Sequence, residues 1–281
     1  MKNCPENIAA LFRFLDEHHE YNKKIQKEDI RRTLSSYTSV PDRARRLLYE
    51  IFKTQSQVKL GFMAEFFRSV EEASNQAPPN RLATYSDFRA FLGVAPGQKG
   101  GLFEALSKRN GWGAKTSALF IRNLAVIAAS PELSRMFWPD IQAVEDEPIR
   151  LPVDKVIKAI FLHLRVSDDE PSLRHTDFKT INNYLSVTLA CERTDMLIWD
   201  DLWFWGFITQ KSEVGKVERK YEWNDAKYWS IFTASKTTET IADVELLATG
   251  KVTPKETRST DARVLAENFL SLTGAPVSPA K

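Results

Sequence analysis

Across 281 residues the chain is 43% apolar and 27% charged, with a formal net charge of +2. It can bury a sizeable core in one large domain or two smaller ones, and it is too nearly neutral to meet a polyanion with bulk charge. Two cysteines, Cys4 and Cys191, exclude a disulfide framework and any four-cysteine zinc or iron–sulfur site, so neither metal nor cofactor is expected. The first residues lack the apolar core of a signal peptide and no run approaches a membrane span, which predicts a cytoplasmic protein.

Residues 8–36 are predicted to be helical, with Ile8, Leu11, Phe12 and Leu15 on one face. His18 and His19 are adjacent, and neighbours on a helix point in different directions, so they read as solvated surface rather than as a metal pair. Arg43, Arg45 and Arg46 open a second helix whose Leu47, Leu48, Ile51 and Phe52 face inward. After Thr54, Gln55, Ser56 and Gln57, helical spacing returns with Phe62, Phe66, Phe67 and Val70, a set that reads as core. Residues 77–80 are a clear break, and a short helix is predicted from Tyr85 to Leu92. Residues 95–101 are punctuated by glycine and proline, without the spacing that a P-loop requires.

The most informative stretch begins at Phe103. Phe103 and Leu106 fit a short helix that breaks at Asn110-Gly111-Trp112-Gly113 and restarts at Ala114-Lys115-Thr116, with Leu119, Leu124 and Val126 on the inner face. The two glycines give the turn backbone angles closed to other residues, and the second helix starts with N–H groups that have no partner within it. Such a start is suited to an anion. Downstream, Pro152-Val153-Asp154 places an acid at the entry to a buried helix carrying Val156, Ile157, Ile160, Phe161 and Leu164. Asp168, Asp169, Glu170 and Pro171 end that helix, and another is predicted from Asp177 to Ala190. The aromatic run Trp199-Asp200-Asp201-Leu202-Trp203-Phe204-Trp205-Gly206 follows, with Trp199 and Trp205 read as core. Residues 211–220 read as a charged linker. A helix is predicted from Thr260 to Leu272, and a disordered tail from Thr273. No sustained alternation marks a strand, so the class is all-α.

A lysine directly after a glycine hairpin, followed by Pro-Val-Asp, resembles the helix-hairpin-helix DNA glycosylases, the superfamily that includes endonuclease III and 8-oxoguanine DNA glycosylase. The long insertion containing Pro139-Asp140-Ile141 is similar to the archaeal-type 8-oxoguanine enzymes, as is the order Lys115-Thr116, then Pro-Asp-Ile, then Pro152-Val153-Asp154. The resemblance covers residues 103–206. It implies two helical lobes with a central DNA-binding cleft, faced by Lys115 as nucleophile and Asp154 as its assistant. It also implies phosphate binding by Gly111, Trp112, Gly113 and Thr116, and a base pocket drawn from Arg122, Asp200, Asp201 and Trp203. In related glycosylases polar residues near Thr54–Gln57 fill the gap that an extruded base leaves. The organisation expected is an N-terminal lobe over 1–95, the hairpin lobe over 96–215 and an extension over 216–281.

The chemistry implied is excision of an oxidised purine, 8-oxoguanine first, from double-stranded DNA by a monomeric, nucleoid-associated enzyme without a cofactor. The target base must leave the stack to be reached. An amine that attacks the anomeric carbon gives a Schiff base, so strand cleavage by β-elimination follows excision. Two alternatives stand beside this reading. One is excision of another modified base, including those of foreign DNA. The other is a non-catalytic hairpin module that only grips DNA.

Overall fold

The structure, a computed structural model, describes residues 4–55, 58–76, 80–164, 177–212, 219–233 and 255–274. The chain is mostly helical. Helices α1 (Glu6–Glu17), α2 (His19–Ser35), α3 (Val40–Lys53), α4 (Leu60–Gln76), α5 (Tyr85–Leu92), α6 (Leu102–Ser107), α7 (Ala114–Ala128) and α8 (Pro131–Met136) fill the first half, followed by a 3-10 turn (Ile141–Asp146). The second half holds α9 (Lys155–His163), α10 (Phe178–Asn183), α11 (Arg193–Trp199), α12 (Leu202–Ile208), α13 (Asp225–Thr233) and α14 (Lys255–Leu272).

The expected breaks at 95 and 215 are not where the contacts divide. Residues 26–152 form one compact unit, and residues 1–25 with 153–281 form the other. The reason is visible at position 95. There α5 packs on α6 and on the 3-10 turn, so a boundary at that point would cut one core in two.

In the 26–152 unit the organising element is α7. Every residue from Thr116 to Ala128 is buried, as expected of a helix that is apolar on nearly all sides. Phe88, Phe120, Trp138, Phe52 and Trp112 are buried around it, with ring centroids of neighbouring pairs 5.4–5.9 Å apart. At α5 the sequence supplies both ends. The Thr84 side chain accepts from the Asp87 N–H, and Gly93 closes the helix in the left-handed region at φ 85°.

Acids tie the insertion to this core. The Asp140 carboxylate accepts from the Tyr85 N–H (2.7 Å), the Ser86 N–H (3.0 Å) and the Ser86 hydroxyl (2.6 Å). Asp140, part of the Pro-Asp-Ile segment, therefore fastens the insertion to the start of α5. Of the arginines at the start of α3, Arg43 donates to the carbonyls of Tyr37 (2.7 Å) and Met136 (2.8 Å), a clamp rather than a solvated residue.

In the other unit α1 packs on α11 and α14, and α12 packs on α9. Helices α9 and α12 approach so closely that a Cβ on Gly206 would lie 2.8 Å from Val156 Cγ1, which fixes glycine at that position. Phe14, Trp205 and Phe269 fill the space between α1, α12 and α14.

Four sequence expectations change. The predicted helix over 8–36 is two helices, broken at His18 with no glycine or proline to announce it. The predicted helix from Asp177 continues past Asn183 as a π-turn (Tyr184–Thr188) and ends at Ala190 with φ 52°. The charged linker contains an antiparallel ribbon of β1 (Gln210–Ser212) and β2 (Arg219–Tyr221). These strands are polar, so they lack the apolar alternation that announces a half-buried strand. Thr273, expected in a disordered tail, is 1% exposed, and its hydroxyl donates to the Leu270 carbonyl at 2.8 Å. Residues 56–57, 77–79, 168–171 and 275–281, to which the sequence reading also gave roles, lie outside the described residues.

Candidate functional site

The turn between α6 and α7 is held from inside the 26–152 unit. Gly111 has φ 82°, and a Cβ there would lie 2.6 Å from Phe52 Cζ and 3.0 Å from Phe62 Cβ, so only glycine fits. Gly113 differs. It has extended angles (φ −94°, ψ 173°) that any residue adopts, and nothing lies within 4 Å of a Cβ built on it. Of the two glycines, only Gly111 needs a conformation closed to side chains. Gly113 leaves its backbone bare.

Trp112 does not contribute to an outer surface. Trp112 is 2% exposed, its ring lies edge-on to Phe52 and Phe120, and its backbone N–H donates to the Arg109 carbonyl at 3.0 Å. Thr116, at 4% exposure, is also buried. The groups that remain open are backbone N–H groups. No side chain caps α7, and the first N–H to find an acceptor within the helix is that of Ser117, which donates to Gly113 at 3.0 Å. The N–H groups of Gly113, Ala114, Lys115 and Thr116 have no acceptor among the described residues. They carry the positive end of the helix dipole.

Three cations lie in this part of the chain. The side chain of Lys115, half-exposed in the first turn of α7, has no hydrogen bond or ion pair among the described residues, and neither has that of Lys108 at the end of α6. Arg109 lies 5.4 Å from the centroid of the Phe91 ring and donates one N–H to the Phe91 carbonyl at 3.1 Å, with no carboxylate partner. Lys108 and Arg109 form a shared wall between two open cavities. One, of about 520 Å³, is also lined by Gly93, Val94, Gln98, Gly101 and the acid Glu104. The other, of about 220 Å³, is also lined by Phe62, Glu65, Phe66 and Ser69. Arg122, 6% exposed, lies two helical turns along α7 from Lys115.

In the other unit Asp154 is the N-cap of α9. Its Oδ1 accepts from the N–H groups of Val156 (2.8 Å) and Ile157 (3.0 Å), and Oδ2 has no hydrogen bond among the described residues. The carboxylate is thus fixed in direction by one oxygen, with the other uncommitted. Lys115 and Asp154 belong to different units.

The three residues expected in a base pocket from the α11–α12 region have different surroundings. Asp200 and Asp201 are 2% and 0% exposed. Asp201 Oδ2 lies 2.9 Å from His19 Nδ1, and burial pushes the Asp201 carboxyl up to about 6 although the imidazole pulls it down. The same hydrogen bond raises His19, which the sequence reading took for solvated surface. Trp203 is half-exposed and stacks on Phe207, ring centroids 5.7 Å apart.

Gln55 is the residue whose role sequence reasoning missed. Its side-chain amide donates to the Gly111 carbonyl at 2.8 Å. No local signal announces a bond between residues so far apart in the chain.

No family model, no curated protein and no solved structure matches this chain. Among the described residues no group of three or more His, Cys, Asp or Glu is placed to hold a metal ion, and no helix is long and apolar enough to cross a membrane.

Proposed function

We propose that this protein is a DNA glycosylase with lyase activity that grips the DNA backbone at the α6–α7 turn and uses Lys115 as its nucleophile. The observation that carries the reading is the start of α7. Four N–H groups without acceptors and a bare glycine lie there with the Lys115 side chain, and Lys108 and Arg109 precede the turn in the chain, none of the three cations having a carboxylate partner among the described residues. A phosphate diester supplies what all of these lack, an anionic acceptor that needs no sequence reading. The net charge of +2 is consistent with a local grip of this kind.

The chemistry requires a free amine and a carboxylate. Lys115 forms the bond to the anomeric carbon while the bond from that carbon to the base breaks, the electron pair and a proton leaving with the base. Opening of the sugar ring gives an iminium, and loss of the proton α to it expels the 3′ phosphate by β-elimination, after which water releases the lysine. Asp154 serves by stabilising positive charge on the sugar with its uncommitted oxygen and by carrying protons. An oxidised purine, 8-oxoguanine first, is the base proposed. The superfamily fold, two helical lobes about a cleft, is part of the same proposal.

The test is borohydride trapping and strand cleavage on duplexes carrying 8-oxoguanine, uracil or an abasic site, with wild type, Lys115→Gln and Asp154→Asn. Trapping and cleavage at 8-oxoguanine by the wild type are expected, with complete loss in Lys115→Gln. Asn still caps a helix, so Asp154→Asn is expected to keep its melting temperature and lose about 10²–10⁴-fold in rate. Trapping at the abasic site alone would keep the lysine chemistry and move the substrate to another modified base. Binding without trapping would leave a DNA-gripping module and sink the enzyme.

A further inference from the structure

We infer that Gln55 is a positioning residue that locks the orientation of the Gly111–Trp112 peptide, and that it acts on the grip rather than by entering the duplex. The inference rests on the DNA-binding reading of the α6–α7 turn. Gln55 follows the C-cap of α3, and that end of α3 receives the whole turn. Phe52 lies beneath Gly111 and against Trp112, while the Gln55 amide reaches the Gly111 carbonyl at 2.8 Å. The peptide that joins Gly111 to Trp112 is thereby held at both ends, its N–H by the Arg109 carbonyl at 3.0 Å and its C=O by Gln55.

The lock matters because of what flanks it. Glycine at φ 82° has wide backbone freedom, and the next residue with bare backbone is Gly113. Rotation of the Gly111–Trp112 peptide plane would free its carbonyl from Gln55 and leave it unpaired in the loop that leads into α7. A carbonyl there repels a phosphate. One neutral hydrogen bond contributes little to stability but fixes which sign of dipole the turn presents. An amide committed to this bond is also not available to fill the gap left by an extruded base, the role that related glycosylases give to polar residues at this point.

The experiment compares wild type, Gln55→Ala and Gln55→Glu, the last placing a carboxylate against the carbonyl. Hydrogen exchange without DNA tests the lock by itself. Both variants are expected to raise exchange of the Trp112 N–H, the bonded donor of the locked peptide, several-fold while the α7 interior and the melting temperature stay unchanged. On a duplex with a stable abasic analogue, dissociation constants are expected to rise about tenfold. At saturating DNA the rate of borohydride trapping is expected to equal that of wild type. Unchanged exchange overturns the lock. Faster exchange with unchanged affinity overturns its role in the grip. A change in trapping rate that depends on the base opposite the lesion would place Gln55 inside the duplex instead. Failure of the wild type to bind any duplex would defeat the DNA-binding reading and this role with it, while the exchange data would still stand for the lock alone.

Discussion

The two ends of α6 lie in the same unit and treat the neighbouring helix starts in opposite ways. At its first residue, the Leu102 N–H donates to both oxygens of Glu147, at 3.1 and 3.2 Å, and Glu147 also accepts from the Tyr85 hydroxyl at 2.9 Å. Arg89 lies 3.8 Å from the same carboxylate and donates to the carbonyls of Gln98 and Gly100, the latter at 2.7 Å. A buried acid thus closes one helix start and gathers a loop around it. Past the last residue of α6, the first turn of α7 holds no acid and no side-chain cap. Buried polar groups are normally satisfied from within, so a closed cluster marks structure. The open start of α7 is where the proposed grip on DNA is placed. Burial of Glu147 raises its carboxyl pKa, so the chain bears a cost to keep that start closed.

Breaking the closed cluster gives the largest stability effect. Glu147→Ala leaves the Tyr85 hydroxyl and the Leu102 N–H without partners and Arg89 without its carboxylate. A loss of about 3–5 kcal/mol in unfolding free energy is expected, measurable by urea denaturation. A loss under about 1 kcal/mol would show that the cluster is not a structural tie, and the contrast between the two helix starts would fail.

The hairpin glycines sharpen the comparison at the open end. Gly111→Ala forces a side chain into the left-handed region and against Phe52, with an expected loss of about 2–3 kcal/mol. Gly113→Ala meets neither obstacle and should change stability by no more than about 0.5 kcal/mol. It places a methyl where the phosphate is proposed to approach, so duplex affinity is expected to fall several-fold. Denaturation and binding curves on the same two proteins check both statements. Equal affinity of Gly113→Ala and wild type would mean that no ligand comes close to that backbone.

Much of this was legible from residue pattern because the signals are local. Tyr85 to Leu92 was read as a helix between the break at residues 77–80 and the glycine- and proline-punctuated residues 95–101, and Asp154 was placed at a helix entry by the Pro-Val-Asp run. The helix after the hairpin was set by its apolar spacing. What was not legible depends on residues far apart in the chain. Nothing around Gln55 tells that its amide serves Gly111, nothing around Asp140 tells that it ties down Tyr85 and Ser86, and Trp112 reads as a turn residue until Phe52 and Phe120 are seen against it. The break at His18 escaped for a related reason. The His18 ring lies edge-on to Phe14 and Trp205 while the next residue turns to Asp201, so contacts with α12 accompany the break.

That last contact carries the smallest of the expected effects, a dependence of stability on pH. Asp201 takes up a proton on folding because burial raises its carboxyl to about 6, from an ordinary value near 4. His19 takes one up because its bond to Asp201 raises it above its ordinary value, against its own burial. The groups facing the pair are Asp200, which pushes Asp201 up, and Lys23 and Glu20, which act on His19 in opposite directions. In both cases the folded state binds more protons than the unfolded, so stability falls as pH rises. For Asp201 the loss runs from about pH 4 to 6. For His19 the contribution is present below about 6.5 and is lost as pH passes the raised folded value. The slope is at most about 1.4 kcal/mol per pH unit for each proton taken up. Other carboxylates in the chain titrate in the same range, so the measurement is a difference. The unfolding free energy of wild type minus that of Asp201→Asn should decline steadily between pH 4 and 8. A difference that grows with pH would mean that the ion pair outweighs the burial of Asp201, and that the acids before α12 stabilise the fold as charges.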